Sequence, residues 1–292
     1  MIDGGSSVPR RQLGRYLKKA REEAGVALEA AARELEWSRA RMYRIESGHT
    51  SVRSHDVVAM CALYGVSKEM AEVLVGLAKE SKAKGWWHPY SEVVRPHLEL
   101  YFGLEAAASR LRQYQAALIP GLLQTREYAE AVFRTLPGTT EDEVAQKVAV
   151  RLERQRLLGR RRPKAPELEV VLDEAVLRRT IADREGMQRQ LAHLVNIAQK
   201  PGIGVRVLPL EAGPHPASAA AEFVILEFPG VGNRDPEPTT IYSDGITGSL
   251  YLDKPGEVAA YERAWQALDS LALGQRESED LIGTIIKEIG DD

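Results

Sequence analysis

The sequence predicts two unlike domains: an N-terminal all-α domain of five short helices, and a C-terminal α+β domain with helices packed on a mixed sheet. Three observations carry this. At 292 residues the chain exceeds what one small domain needs, and two domains is the natural division. From Arg10 to Lys79 the apolar residues recur with helical spacing throughout. From Glu167 onward, short strand-like runs alternate with helical ones.

The first helix carries Leu13, Leu17, Ala20 and Ala24 as one apolar stripe and stops at Gly25, a residue suited to the left-handed position after a helix end. A second covers about Ala27 to Leu35, with Ala31, Ala32 and Leu35 inward. Ser38 N-caps a third, in which Met42 and Ile45 are apolar and Gly48 follows the end. A fourth spans about Ser54 to Tyr64 with Val57, Val58, Cys61 and Ala62 on its buried side, and a fifth about Lys68 to Lys79. Residues 1–9 read as a disordered lead-in, and 10–80 as the helical domain. The stretch 81–97 reads as a linker whose adjacent Trp86 and Trp87 pack, joining the domains or supporting a dimer contact. In 98–292, helices are expected over about Leu98 to Gln115, Leu122 to Thr135 and Glu141 to Gly159. Strands follow at Glu167 to Leu172, Gly204 to Leu208, Glu222 to Phe228, Thr239 to Tyr242 and Ser249 to Leu252. Helices at about Asp173 to Ile181, Gly186 to Gln199, Pro255 to Leu273 and Ser278 to Ile289 complete an α+β half whose strand order is mostly local after Gly202.

Composition narrows the function classes. Hydrophobic residues at 44% and charged residues at 28% allow a substantial core. No run approaches the roughly 18 apolar residues of a membrane span. The N-terminus lacks a basic segment followed by an apolar one, so no secretory signal is expected, and the cytoplasm is the expected compartment. Cys61 stands alone, which excludes an intramolecular disulfide and a cysteine-based zinc site; its apolar run marks it as a small core residue. The net charge of −3 divides unevenly: Arg10 to Asp56 holds eleven Lys/Arg against seven Asp/Glu, or +4, which leaves −7 for the rest. A basic segment on an acidic body suggests local phosphate contact.

The third helix concentrates that charge. In Ser38-Arg39-Ala40-Arg41-Met42-Tyr43-Arg44-Ile45-Glu46-Ser47-Gly48, Met42 and Ile45 can dock on the second helix while Arg39, Arg41 and Arg44 project away. A helix that reads the major groove needs an apolar back and long donors near its N-terminal end, and arginine can bind guanine O6 and N7 bidentately. A solvated surface helix with some arginines remains the alternative for this segment taken alone.

The neighbouring helices add a resemblance. Leu13-Gly14-x-x-Leu17-x-x-x-Arg21-Glu22-x-Ala24-Gly25, Leu28-x-x-Ala31-Ala32-x-x-Leu35, Ser38-Arg39 and Arg44-Ile45-Glu46-Ser47-Gly48 resemble the lambda-repressor-like (XRE) helix-turn-helix family, as do the Val57-to-Tyr64 helix and the Tyr64-Gly65-Val66 corner. The resemblance implies a structural pair between Arg21 and Glu46, and base-reading by Arg39, Ala40 and Arg44 with Arg41 beside them. It makes Ser38, Tyr43, His49, Thr50 and Arg53 candidates for phosphate contact. Many relatives carry a polar residue, often glutamine, where Leu28 stands, so the phosphate contact made there is not expected here.

The second half resembles a domain of unassigned function found behind such helix-turn-helix units in actinobacterial, Streptomyces-type regulators of the WhiJ-like, antitoxin-like group. The residues that carry this are Ile119-Pro120-Gly121-Leu122-Leu123-Gln124-Thr125 with Glu127-Tyr128-Ala129, Arg151-x-x-Arg154-Gln155 and Asp173-Glu174-Ala175-x-Leu177-Arg178-Arg179. Further ones are Gln190-Leu191-x-x-Leu194, Val205 to Pro209, Phe223-x-Ile225-Leu226 and Ser278-x-x-x-Ile282. The resemblance implies regulation of development or secondary metabolism, often beside a small protein partner encoded nearby, and supplies no ligand.

Catalysis is not expected. No H-E-x-x-H, G-x-S-x-G, phosphate-binding loop or three-glycine dinucleotide fingerprint occurs. His215, in a Gly-Pro-His-Pro turn, has no second ligand at metal spacing, and Asp173-Glu174 beside Arg178-Arg179 reads as capping and surface pairing as readily as a charged site. No cofactor or metal is therefore expected. The basic run from Arg151 to Arg162 reads as a solvated helix end favoured by the dipole, with a second DNA-backbone contact or docking of an acidic partner as alternatives. The expectation is a cytoplasmic, nucleoid-associated homodimer that binds a double-stranded DNA operator and answers through its C-terminal domain to a small protein partner. A small-molecule sensor and a toxin-neutralising antitoxin are the competing readings.

Overall fold

The computed structural model describes residues 7–81, 86, 88–90, 94, 96–230, 237–245 and 248–291. It forms two compact units, Met1–Pro89 with Glu99–Ala107, and Tyr90–Leu98 with Ala108–Asp292.

The N-terminal unit holds α1 (Ser7–Glu23), α2 (Leu28–Glu34), α3 (Arg39–Glu46), α4 (Ser54–Leu63) and α5 (Lys68–Glu80). Leu13 and Leu17 of α1, Ala31 and Ala32 of α2, and Met42 and Ile45 of α3 meet in one core, as their spacing predicts. α1 starts three residues before Arg10, where the helical domain was expected to begin, because Pro9 is tolerated in a first turn, where its missing N–H has no partner to lose. On α4 the inward stripe is Val57, Met60, Cys61 and Tyr64, whereas Val58 and Ala62, expected inside, face solvent. The i, i+3, i+4, i+7 set falls on one side of a helix; the expected set straddled two. Cys61 is a core residue, and burial pushes its thiol above the ordinary value.

The turn from α2 to α3 closes with Glu36 N–H on Arg33 O (3.1 Å) and Trp37 N–H on Ala32 O (2.7 Å). Glu36 holds φ at 55° to do so. A side chain there crowds the carbonyl that follows. Glu36→Gly is expected to stabilise this unit by about 0.5–1 kcal/mol, the relief being partly offset by glycine's unfolded-state entropy. A lower midpoint in chemical denaturation would refute this.

Trp87 lies outside the described residues. Trp86 stacks on Phe102 of α6 (Pro96–Ala107), ring centroids 5.3 Å apart, and the Glu99–Ala107 part of that helix groups with the five N-terminal helices.

The C-terminal unit is built on a six-stranded sheet in the order β3-β2-β1-β4-β5-β6: β1 (Arg110–Gln115), β2 (Glu167–Asp173), β3 (Ile203–Leu208), β4 (Phe223–Glu227), β5 (Thr240–Gly245) and β6 (Gly248–Leu252). β1, β2 and β3 run parallel, and β4, β5 and β6 add antiparallel on the other side of β1. Parallel neighbours need crossover connections. α7 (Arg126–Arg134) and α8 (Glu141–Gln155) supply the first, α9 (Glu174–Arg178) and α10 (Arg184–Ala198) the second. α11 (Pro255–Leu271) and α12 (Gln275–Asp291) close the chain. α11 sets Trp265 and Leu268 against Tyr114, Phe223, Ile225 and Ile241 on one sheet face.

The five expected strands form, but the helix expected over Leu98 to Gln115 is in fact two elements, α6 and the strand β1. β1 escaped notice because a central strand normally reads as an apolar run, and Arg110-Leu-Arg-Gln-Tyr-Gln115 does not. It tolerates its polar residues through a ladder. Arg110 pairs with Glu169 of β2 (2.6 Å). Arg112, 7% exposed, donates to Glu227 of β4 (2.9 Å) and with both terminal nitrogens to Glu262 of α11 (2.7 and 2.5 Å). The missed strand also corrects the order: β4, β5 and β6 are local neighbours, but β3 lies at the far edge.

The Ile119-to-Thr125 signature forms a hydrogen-bonded knot. Gln124 Nε2 donates to Ile119 O (2.7 Å), and its side-chain oxygen accepts from Arg151. Gln155 Nε2 donates to Gly121 O and Gln124 O (2.9 and 2.8 Å), while Gln190 accepts from Thr125 N–H (2.6 Å) and donates to Leu123 O (2.8 Å). A Cβ on Gly121 would lie 2.9 Å from Arg151 Nη1, so glycine is what lets the arginine in. Arg151, Gln155 and Gln190 are therefore spent on holding this loop between α8 and α10.

Candidate nucleic-acid interface

The candidate interface centres on α3. Its start is capped as expected: Ser38 Oγ accepts the Arg41 N–H at 3.1 Å, which satisfies one of the first-turn amides that have no intrahelical partner. Its end is clamped by α1. A Cβ at Gly14 would lie 2.6 Å from Ile45 O and 2.7 Å from Glu46 O, so a side chain there would force the two helices apart. Gly48, at φ 72°, turns the chain away; a Cβ there would lie 2.7 Å from Arg11 Cα, and Arg10 Nε donates to Gly48 O at 2.8 Å.

The pair the resemblance implied is present and bidentate. Arg21 Nε donates to Glu46 Oε1 at 2.7 Å and Nη2 to Oε2 at 2.8 Å, while Nη1 takes Val26 O at 2.9 Å. The hydrogen bonds donated to Glu46 hold the guanidinium above its ordinary pKa despite burial.

The three arginines of α3 occupy different environments. Arg44 is exposed, with no hydrogen bond or ion pair engaging its side chain among the described residues. Arg39, its side chain 76% exposed, donates from Nε to Glu29 Oε1 of α2 at 2.6 Å. Arg41 lies over the Trp37 ring, 3.9 Å from its centroid, and donates from Nη2 to Asp56 Oδ2 of α4 at 3.0 Å. Its guanidinium thus ties α3 to the first turn of α4. Trp37 and Glu29 were not singled out from sequence; an aromatic residue just before the N-cap was the only signal.

Ala40, Tyr43 and Ser38 are exposed beside Arg39 and Arg44, with Tyr43 61% exposed. Thr50 and Arg53 are exposed on the loop after α3, which buried Val52 anchors. His49 is exposed as a residue, yet local burial of its ring, then the charges of Arg10 and Arg11, lower its pKa. Ser47 Oγ donates to Tyr43 O (2.7 Å) and lies 2.7 Å from His49 Nδ1.

Other candidates resolve into structure. Asp173 caps α9, accepting from Ala175 N–H at 2.9 Å. Glu174 accepts from Arg178 and from Leu210 N–H, and Arg178 also reaches Glu288. In the basic run, Arg156 pairs with Glu153 and Arg160 donates to Lys164 O, while Arg161 and Arg162 face solvent. No helix among the described residues is long and apolar enough to cross a membrane.

Residues 12–74 match the family described as a helix-turn-helix domain, and residues 98–284 match the one described as Domain of unknown function (DUF5753). No curated protein and no solved structure matches the chain.

Proposed function

Because the chain belongs to the family defined by the domain of unknown function DUF5753, set here behind a helix-turn-helix domain, we propose that it is a sequence-specific transcriptional regulator of the XRE type. The helix-turn-helix domain supports a DNA-binding regulator; operator reading and its control go further. The observation that carries the proposal is the exposed row Arg39, Ala40, Tyr43 and Arg44 on a helix whose back is buried and whose far end is clamped.

In this reading α3 enters the major groove. Arg39 and Arg44 contact base edges, Ala40 packs against a thymine methyl, and Ser38, Tyr43, Thr50 and Arg53 take phosphates. Arg41 orients the helix through Trp37 and Asp56. His49, beside Thr50, joins the phosphate contacts. The protein acts as a homodimer on half-sites about 34 Å apart, in the cytoplasm at the nucleoid. It has no catalytic step. A small protein partner, encoded nearby as in WhiJ-like regulators, docks on the C-terminal domain and releases or redirects it. What supports docking of a protein is that the polar groups of the 119–125 signature are spent within the domain. Toxin neutralisation would be a special case of the same docking.

Arg44→Ala is expected to lower operator preference by about 1–3 kcal/mol, as for loss of one bidentate base contact, with a smaller loss on random duplex. Binding should also weaken steeply with salt. Selection from randomised duplexes followed by titration at two salt concentrations tests both. Unchanged preference in Arg44→Ala removes its role, and no enriched sequence for the wild type removes the proposal.

A further inference from the structure

We infer that Glu29 is a positioning residue that sets the plane of the Arg39 guanidinium for a guanine edge, and thereby fixes one base of each half-site; this rests on reading α3 as the groove helix. Arg39 is the first residue of α3, and its exposed side chain is held by Glu29, across the α2–α3 turn, at 2.6 Å. The bond uses Nε. A guanidinium is a rigid plane of five N–H donors. With Nε engaged, Nη1 and Nη2 remain at the outer end, side by side, the pair that matches O6 and N7 of guanine. An arginine held only by its own flexible stem must lose several rotamers on reaching a base; one already latched loses fewer.

Glu29 itself is well placed. It lies in the first turn of α2, whose Ala31 and Ala32 are buried in the core with α3's Met42 and Ile45, so its distance from Arg39 follows from packing. A hydrogen bond from its own backbone amide, then the one from Arg39, hold its carboxyl below the ordinary range, and it stays ionised. The other two arginines are set differently: Arg41 is held through Nη2 by Asp56 and lies over Trp37, and Arg44 has no hydrogen bond or ion pair to its side chain among the described residues. A carboxylate beside the groove also repels phosphates. Glu29 thus penalises nonspecific complexes, in which no base repays its presence.

An exposed ion pair contributes little to folding stability, so the role shows in discrimination and leaves the melting temperature unmoved. The full chain, Glu29→Ala, Glu29→Gln, Arg39→Ala and the Glu29→Ala/Arg39→Ala double variant are compared on the duplex the wild type selects, on its single-base variants and on random duplex. The wild type should select one guanine per half-site whose preference Arg39→Ala abolishes. Glu29→Ala should cut that preference about 10-fold and raise random-duplex affinity about 2-fold. Glu29→Gln, whose amide oxygen still accepts from Nε, should keep the preference within about 3-fold. In the Arg39→Ala background, Glu29→Ala should change nothing further at that base. The inference is overturned if guanine preference survives Glu29→Ala, or if affinity for every duplex falls together. A wild type that selects no sequence overturns the groove-helix reading and this inference with it; the first two outcomes leave that reading standing.

Discussion

Glu46→Ala is expected to cost the N-terminal unit about 3–5 kcal/mol, the penalty for leaving a buried charge without its partner. Arg21 and Glu46 are 7% and 5% exposed, and two parallel hydrogen bonds of 2.7 and 2.8 Å join them. Alanine would leave the Arg21 guanidinium with only Val26 O (2.9 Å) and a long ion pair to the exposed Glu22 (3.8 Å) among the described residues. It would also release the end of α3 from α1, where Gly14 brings the two backbones into contact. In a domain of this size each kcal/mol moves the melting temperature by roughly 4–8 °C, so a drop above about 12 °C should follow. Thermal unfolding followed by helical circular dichroism measures it, and a midpoint within about 3 °C of the wild type would contradict the pair's role. Glu46→Gln, which retains an acceptor but no charge, should fall between.

Arg112→Ala should destabilise the C-terminal unit by about 2–4 kcal/mol, somewhat less than a fully buried pair because its partners can rehydrate. Arg112 lies in the middle of the sheet. Burial opposes its charge, yet the hydrogen bonds and charges of Glu262 and Glu227 hold the guanidinium above its ordinary pKa. The side chains of those carboxylates are about 30% exposed, so water reaches them once the arginine is gone. Arg112→Lys should recover less than half of the loss, since an ammonium cannot fork to Glu227 and Glu262 together. Trp265 lies 5.7 Å from the guanidinium, so its fluorescence can follow denaturant unfolding of this unit. Equal midpoints for the wild type and Arg112→Ala would show that the ladder contributes nothing.

Much of the candidate interface was legible because it is local. The Ser38 cap, the Met42–Ile45 back of α3 and the glycine after its end each depend on residues three or four apart, and all three form. The Arg21–Glu46 pair spans 25 positions and was reached only through family resemblance. The same resemblance grouped Arg41 with the base-reading residues. Its actual setting depends on Asp56, fifteen positions away, which α4 brings beside Trp37.

From its sequence alone this protein has five short helices, the Ser38 cap, five of the six strands among the described residues and a basic segment followed by an acidic body. Each follows from periodicity, turn residues or charge within a short window. The tertiary structure alone decided that Arg110 to Gln115 is a central strand, because the carboxylates that make a buried arginine tolerable there lie 115 and 150 positions away. It also decided which acids and rings each arginine of α3 meets. A guanidinium's availability depends on which acids and aromatic rings the fold folds back onto it, and no local pattern encodes that.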